Sequence, residues 1–119
     1  MADIRMGPAE TQFAEIIWAN EPIASGVLSK KAEEALAWKK TTSFTVLKRL
    51  CERGLFQNQG GVVTSRISRE EYYARHSQQY VEDTFGGSLP AFIAAFGSRK
   101  KLSDSEIEEM KALIEKMRG

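Results

Sequence analysis

The chain has 119 residues, of which 42% are hydrophobic and 28% charged, so it is long enough for one compact domain or a small domain with a short appendage. One cysteine and one histidine exclude an internal disulfide and a structural zinc site, and we therefore expect no metal, no cofactor and a reducing, cytoplasmic setting. The longest apolar run, at residues 91–96, is too short for insertion into a membrane. The 17 basic and 16 acidic residues give a net charge of +1, which by itself indicates no charged partner.

The first two helices are predicted from an apolar stripe and from local start and stop signals. Residues 9–20 form the first helix, which Pro22 ends. Its apolar residues recur at the spacing of a buried face and are Phe13, Ile16 and Ile17. Ser25 is expected to cap the second helix, because its hydroxyl can accept a hydrogen bond from a first-turn amide, and that helix is predicted to run to about Ala37.

A third helix and a hairpin follow. Residues 38–40 form a short connection, and the helix after it is predicted to end at Arg53, with Gly54 as the left-handed residue that stops it. Two short strands, residues 55–59 and 62–67, flank a Gly-Gly pair that can adopt the positive φ angles of a tight turn. Three helices and a hairpin in this order are typical of a winged helix-turn-helix.

The rest of the chain is predicted to be helical. A capping box at residues 68–71 opens a helix that reaches Phe85, where two glycines end it. A short helix with Pro90 in its first turn lies within residues 88–97. A second capping box, at residues 103–106, opens the last helix.

The predicted fold is therefore mainly α with a small β-hairpin, in which a winged helix-turn-helix over residues 1–67 precedes a helical region over residues 68–119. The last helix carries an apolar stripe that nothing in its own small domain obviously covers. We interpret this region as a dimerisation region, with packing of the stripe on the fourth helix as the alternative. The expected dimerisation residues are Phe92, Phe96, Ile107, Met110, Leu113, Ile114 and Met117.

Positive charge is concentrated in residues 39–66, where six basic side chains oppose the single acid Glu52 and give a local charge of +5. A helical wheel of the third helix places short hydroxyls and cations opposite its apolar side, a composition that suits a DNA major groove. A solvated helix face is the alternative. Phe44 either contacts a thymine methyl or packs beneath the wing. The candidate DNA-binding residues are Lys39, Lys40, Thr41, Thr42, Phe44, Thr45, Lys48, Arg49 and Arg66.

Three isolated features indicate structural roles. Cys51 flanks the buried side of the third helix and is expected to be an inert small hydrophobe. His76 lies on a stripe with Tyr73 and Tyr80 and is expected to join them in an aromatic patch. The sequence offers no nucleophile beside a base and no carboxylate pair placed for a cleft, so we predict that the protein is not an enzyme.

Short motifs follow one another along nearly the whole chain. They are Ala9-Glu10, Ile16-Ile17-Trp18, Trp38, Thr42-x-x-Thr45-Val46-Leu47-x-Arg49-Leu50-x-x-x-Gly54-Leu55, Ile67-Ser68-Arg69-Glu70-Glu71-Tyr72, Phe85-Gly86-Gly87, Phe92-x-x-x-Phe96, and Leu102-Ser103-x-x-Glu106-Ile107-Glu108-Glu109. In order and spacing they resemble the BlaI/MecI penicillinase-repressor family of bacterial winged-helix regulators. The resemblance implies a homodimeric repressor whose N-terminal part binds an inverted-repeat operator on double-stranded DNA and whose C-terminal helices form the dimer.

The resemblance also implies inactivation by a peptidase linked to a membrane sensor, at the bond that corresponds to Ala95–Phe96. The best-studied members have asparagine at the position of Ala95, and they carry basic residues at the positions of Thr41 and Phe44. Residues 97–119 contain no cysteine, which sets aside the copper-sensing branch of the family. The alternative function is a winged-helix protein-interaction module that does not bind DNA, for which a solvent-exposed Phe44 would be the sign.

Overall fold

The structure is a computed structural model that describes residues 4–119. Within these residues it contains six helices and three strands, in the order α1 (Pro8–Asn20), β1 (Ile23–Ala24), α2 (Ser25–Leu36), α3 (Lys40–Glu52), β2 (Phe56–Gln59), β3 (Val62–Ser65), α4 (Arg69–Phe85), α5 (Leu89–Gly97) and α6 (Asp104–Lys116). This order confirms the predicted fold class, a winged helix-turn-helix followed by a helical region.

The described chain divides into two compact units, with the boundary inside α4 between Ser77 and Gln78. We call residues 4–77 the first unit and residues 78–119 the second unit. The division of function that we predicted at residue 67 stays a prediction.

The core of the first unit is formed by α1, α2, α3 and the sheet. Its fully buried large side chains are Phe13, Ile17, Leu28, Leu50, Phe56, Val63 and Tyr72. Each stabilises the fold by about 1.5–3 kcal/mol relative to its exposed state. The predicted apolar side of α3 is confirmed, since Ser43, Val46, Leu47 and Leu50 are all buried. The opposite side of α3 is thereby turned to solvent.

The sheet has three strands rather than the two that we predicted. The β2–β3 hairpin is confirmed, and both turn glycines have positive φ angles, 61° at Gly60 and 86° at Gly61. The third strand, β1, pairs antiparallel with β3, with Ile23 opposite Val63, so the strand order is β1-β3-β2. The wing is therefore attached by its central strand to the segment that precedes α2.

The predicted cap of α2 is wrong. Ala24 occupies the N-cap position, and Ser25 is the first helical residue. The Ser25 N–H donates to the carbonyl of Gly61 at 2.8 Å, which extends the β1–β3 ladder into the helix. At the other end α2 stops at Leu36, and Ala37 adopts the left-handed conformation with a φ of 58°.

The start of α4 is fixed to α1 by an aromatic and ionic cluster. Tyr72 is buried and its ring lies 5.5 Å from that of Trp18, whose indole N–H donates to the carbonyl of Ile67 at 3.0 Å. Arg69 pairs with Glu15 at 2.9 Å. The structure shows the serine half of the predicted capping box, in which the Ser68 hydroxyl accepts from the N–H of Glu71.

The prediction that His76, Tyr73 and Tyr80 form one aromatic patch is wrong, because the three residues do not pack together. His76 stacks on Tyr72, with ring centroids 5.6 Å apart, and Tyr73 also contacts Tyr72. Tyr80 instead contacts Phe85 in the second unit. The helical spacing of the three residues is correct, but α4 crosses from one unit to the other between them.

The Tyr73–Glu15 hydrogen bond makes stability depend on pH. The Tyr73 hydroxyl donates to Glu15 at 2.7 Å, and this bond, then partial burial, raises the pKa of Tyr73 above its ordinary 10.0. Its contribution to stability is fully present below about pH 10 and is lost as the pH rises through the raised pKa. We expect the free energy of unfolding, measured by urea denaturation, to fall less steeply for Tyr73→Phe than for the wild type between about pH 8 and about pH 11. Parallel pH profiles would contradict this assignment.

Ser43 carries a buried hydroxyl that costs stability. The residue is 2% exposed, and within the described residues its Oγ makes no hydrogen bond. Removing a buried polar atom without a partner is neutral or favourable, and alanine also has the higher helix propensity. We expect Ser43→Ala to raise the free energy of unfolding by up to about 1 kcal/mol, measured by urea denaturation. A decrease of similar size would mean that the hydroxyl has a partner in solution.

The helices of the second unit begin where the sequence predicts. The Ser88 hydroxyl caps α5 by accepting from the N–H of Ala91, and Ser103 and Glu106 form a complete capping box at α6. Gly86 and Gly87 end α4 with φ angles of 60° and 83°. Within residues 78–119, all of which the structure describes, no side chain is buried.

Candidate nucleic-acid interface

The exposed side of α3 brings together most of the predicted DNA-binding residues. Thr41, Thr42, Thr45, Lys48 and Arg49 are all exposed on this helix, opposite the side that packs in the core. Short hydroxyl side chains allow close approach to base edges, and the longer cations reach phosphates or guanines. The helix therefore has the shape and chemistry of a recognition helix.

Three threonines form a shallow cradle on this side. Thr41, Thr42 and Thr45 line a depression of about 210 Å³, together with Val46 and Arg49. The Thr45 hydroxyl donates to the carbonyl of Thr41 at 2.8 Å, so its lone pairs remain able to accept. The cradle thus presents both acceptors and the guanidinium donors of Arg49 to a ligand in front of α3.

The N-terminus of α3 is arranged to attract an anion. Lys39 is the N-cap residue, and a lysine side chain cannot accept hydrogen bonds from first-turn amides. Lys39 and Lys40 are both exposed beside those amides. The positive end of the helix dipole and two cations therefore coincide at a position suited to a DNA phosphate.

Phe44 packs against the core of the first unit beside the wing, and contact with a thymine methyl stays a prediction. It is half-buried against the core, and the Lys40 Nζ lies 5.9 Å from its ring centroid. The ring lines a depression of about 380 Å³ with Leu47, Lys48, Cys51 and, from β2, Asn58. Phe44 therefore borders the depression between α3 and the wing.

Cys51 lies in the same depression and is half-buried. Burial, and then the charge of Glu52, raises the pKa of its thiol. Because the thiolate is the reactive form, a raised pKa agrees with the predicted inert role.

The wing is held in one conformation by side-chain hydrogen bonds. The Asn58 Oδ1 accepts from the Gly61 N–H at 3.0 Å, and the Gln57 Nε2 donates to the Thr64 hydroxyl at 3.0 Å. Arg66 follows β3 and is exposed, with its backbone N–H bonded to the Leu55 carbonyl at 2.9 Å. Its side chain is thus available at the base of the wing for a backbone phosphate.

Two acidic residues moderate the positive charge of this surface. Glu52 lies 3.9 Å from Lys48, a pair so exposed that it contributes little to stability. Glu10 of α1 lies 3.4 Å from the Nη1 of Arg49. Counting Glu10 with Glu52 against the six cations of residues 39–66 lowers the local charge from +5 to +4.

Sequence reasoning missed Glu10 as part of this surface. The only local signal was its position three residues after Gly7, which is capping-box spacing, and its Oε1 does accept from the Gly7 N–H at 3.0 Å. Nothing in that spacing points to Arg49, because the contact joins residues 39 positions apart. Arg53 is likewise bound to the N-terminal segment, through the carbonyl of Arg5.

The predicted dimerisation residues all belong to the second unit. Phe92 and Met110 are partly buried, whereas Leu113, Ile114 and Met117 are 53%, 56% and 71% exposed. Ala95 and Phe96 lie in the last turns of α5, and both are exposed. No helix in residues 4–119 combines the length and the apolar character needed to cross a bilayer.

The three-helix core, the tethered wing and the exposed side of α3 define a winged helix-turn-helix protein. Comparison with known proteins agrees: the chain matches the penicillinase repressor family over residues 6–116 and belongs to that family. It is 25% identical to the penicillinase repressor of Bacillus licheniformis over 115 residues, which cover 93% of this chain and 90% of the relative. It is 21% identical to the methicillin resistance regulatory protein MecI of Staphylococcus aureus over 112 residues, 91% of each chain.

Proposed function

We propose that the protein is a transcriptional repressor that binds double-stranded DNA as a homodimer on an inverted-repeat operator. The observation that carries this proposal is the exposed side of α3, where the threonine cradle, Lys48 and Arg49 lie opposite the buried face. In a winged helix this surface enters the major groove, and the wing and the N-terminus of α3 contact the flanking phosphates. The repressor names of both relatives support the direction of regulation.

The second unit supports dimerisation. Its apolar side chains are exposed on α5 and α6, and a second copy of the chain is the partner that would cover an identical stripe. Two half-site contacts then act as one through their high effective concentration.

The position of Phe44 bears on the alternative of a protein-interaction module. That alternative gains ground if Phe44 is exposed as a docking residue, whereas the ring is half-buried against the core of the first unit. Its position supports DNA binding over protein docking.

Control by a sensor-linked peptidase is a further part of the proposal. The bond between Ala95 and Phe96 is exposed but lies within a helix. Proteases bind extended segments, so cleavage requires the end of α5 to unwind first.

Mobility-shift titrations against DNA from the promoter of the protein's own operon, at several salt concentrations, test this function. We expect sequence-preferring binding that weakens linearly in log salt. A dimer without sequence-preferring, salt-sensitive binding would refute the proposal.

Three single substitutions test whether the exposed side of α3 is the surface that binds DNA. Lys48→Ala and Arg49→Ala are expected to weaken binding by about tenfold each, because each removes hydrogen-bond donors that face the groove. Cys51→Ser is expected to leave the affinity unchanged, since the thiol lies below the surface of contact. Equal losses in all three variants would mean that the exposed side of α3 is not the binding surface.

A further inference from the structure

The contact between Glu10 and Arg49 connects the start of α1 to the recognition helix. The Oε2 of Glu10 lies 3.4 Å from Arg49 Nη1, while its Oε1 accepts from the Gly7 N–H. Both carboxylate oxygens are therefore engaged, and the Glu10 side chain is only 21% exposed. The carboxylate is a fixed point against which the more exposed guanidinium of Arg49 rests.

The guanidinium of Arg49 also borders the threonine cradle. It lines the same depression as Thr41, Thr42 and Thr45. Arginine has five N–H donors in a planar fork, and the Glu10 contact uses one of them. Donors therefore remain for a ligand that enters the cradle.

This arrangement favours base reading over phosphate binding. A cation beside a carboxylate contributes little net attraction to a phosphate, and the carboxylate itself repels the DNA backbone. What the carboxylate supplies is a fixed direction for the fork, which matters where two donors must meet two acceptors at once. Guanine presents such a pair, O6 and N7, in the major groove.

We infer that Glu10 is a positioning residue that holds Arg49 in the orientation that reads a guanine of the operator half-site. The inference rests on the proposed function, because it concerns the same surface. It adds a residue outside the helix-turn-helix, on α1, to the determinants of operator specificity.

Two substitutions separate positioning from structure. Glu10→Gln removes the charge that holds Arg49 but keeps an oxygen to accept from the Gly7 N–H, so α1 retains its cap. Arg49→Lys keeps the positive charge but loses the fork. Glu15→Gln is the matched control, since Glu15 is on the same helix and pairs with Arg69 of α4 rather than with α3.

The DNA probes are a duplex selected by the wild type from a random-sequence pool and the same duplex with its bases shuffled. We expect Glu10→Gln and Arg49→Lys each to weaken binding to the selected duplex by about tenfold. On the shuffled duplex, both are expected to bind as the wild type does or slightly tighter. Glu15→Gln is expected to match the wild type on both, and thermal unfolding checks that each variant is folded.

To identify the guanine that Arg49 contacts, each guanine of the selected duplex is replaced by adenine, one position at a time and in both half-sites together. One replacement is expected to cost the wild type about 30-fold or more, because the dimer loses the contact in both half-sites, and to cost Arg49→Ala nothing, because the contact is already absent. Equal weakening of both duplexes by Arg49→Ala would assign Arg49 to a phosphate and overturn the inference. Tighter binding of both duplexes by Glu10→Gln would mean that Glu10 only competes with DNA, which also overturns it.

The outcomes distinguish this inference from the function on which it rests. A wild type that selects no sequence from the pool refutes the proposed function and the inference together. A wild type that selects a sequence, with Glu10→Gln unchanged on both duplexes, leaves the function standing and refutes only the role of Glu10.

Discussion

Ile114→Asp is expected to convert the proposed dimer to a monomer and to weaken operator binding by about a hundredfold or more. Ile114 is 56% exposed in the single chain and belongs to the apolar stripe of α6. In a two-fold dimer the substitution buries two aspartates in an apolar contact, and an unpaired buried charge costs several kcal/mol. Loss of the dimer then removes the effective concentration that joins the two half-site contacts.

Ala112→Asp is the matched control for this experiment. Ala112 is exposed, and at 100° per residue it lies on the opposite side of α6 from the stripe. We expect it to remain dimeric in sedimentation equilibrium and to bind the operator as the wild type does. An Ile114→Asp protein that stays dimeric would show that the stripe packs within its own chain, which was the alternative for this helix.

Lys40→Glu is expected to weaken operator binding by about 10- to 100-fold while leaving the fold as stable as before. Lys40 is the first residue of α3, beside first-turn amides that the N-cap side chain does not cap. A glutamate there repels a phosphate, yet it interacts favourably with the positive end of the helix dipole, by about 0.3–1 kcal/mol. That gain offsets the lost cation–π contact with Phe44, which is of similar size.

The slope of log affinity against log salt makes the Lys40 test specific. Each phosphate contact contributes about 0.9 to this slope, so a dimer that loses one contact per subunit has a slope lower by about 2. Lys116→Glu in α6 changes the net charge equally and is expected to leave the slope unchanged. If both variants lower the affinity equally, overall charge rather than a contact at the N-terminus of α3 is responsible.

Features governed by neighbouring residues were predictable from the sequence. The apolar spacing of α3 identified its buried side, and the Gly-Gly pair identified the hairpin turn, because periodicity and positive φ angles are local properties. The same is true of the cap at Ser103. These local signals were enough to place α3 and its exposed side.

Features that depend on distant residues were not predictable. Strand β1 has two residues, too few to show an alternating pattern, and it exists through its pairing with β3. Ser25, whose N–H donates to the Gly61 carbonyl, is the first residue of α2 and not its cap. The Glu10–Arg49 contact likewise joins two helices, and neither residue has a neighbour in sequence that indicates the other.

The pairing of β1 with β3 affects the thermodynamics of DNA association. A free hairpin loses conformational entropy when it is immobilised against a ligand, and this loss subtracts from affinity. Here the Gly61 carbonyl is bonded to the start of α2, and the Gly61 N–H is bonded to Asn58, before any ligand arrives. In the proposed complex with DNA, the wing is therefore already ordered before association, and the entropy of ordering it belongs to folding rather than to binding.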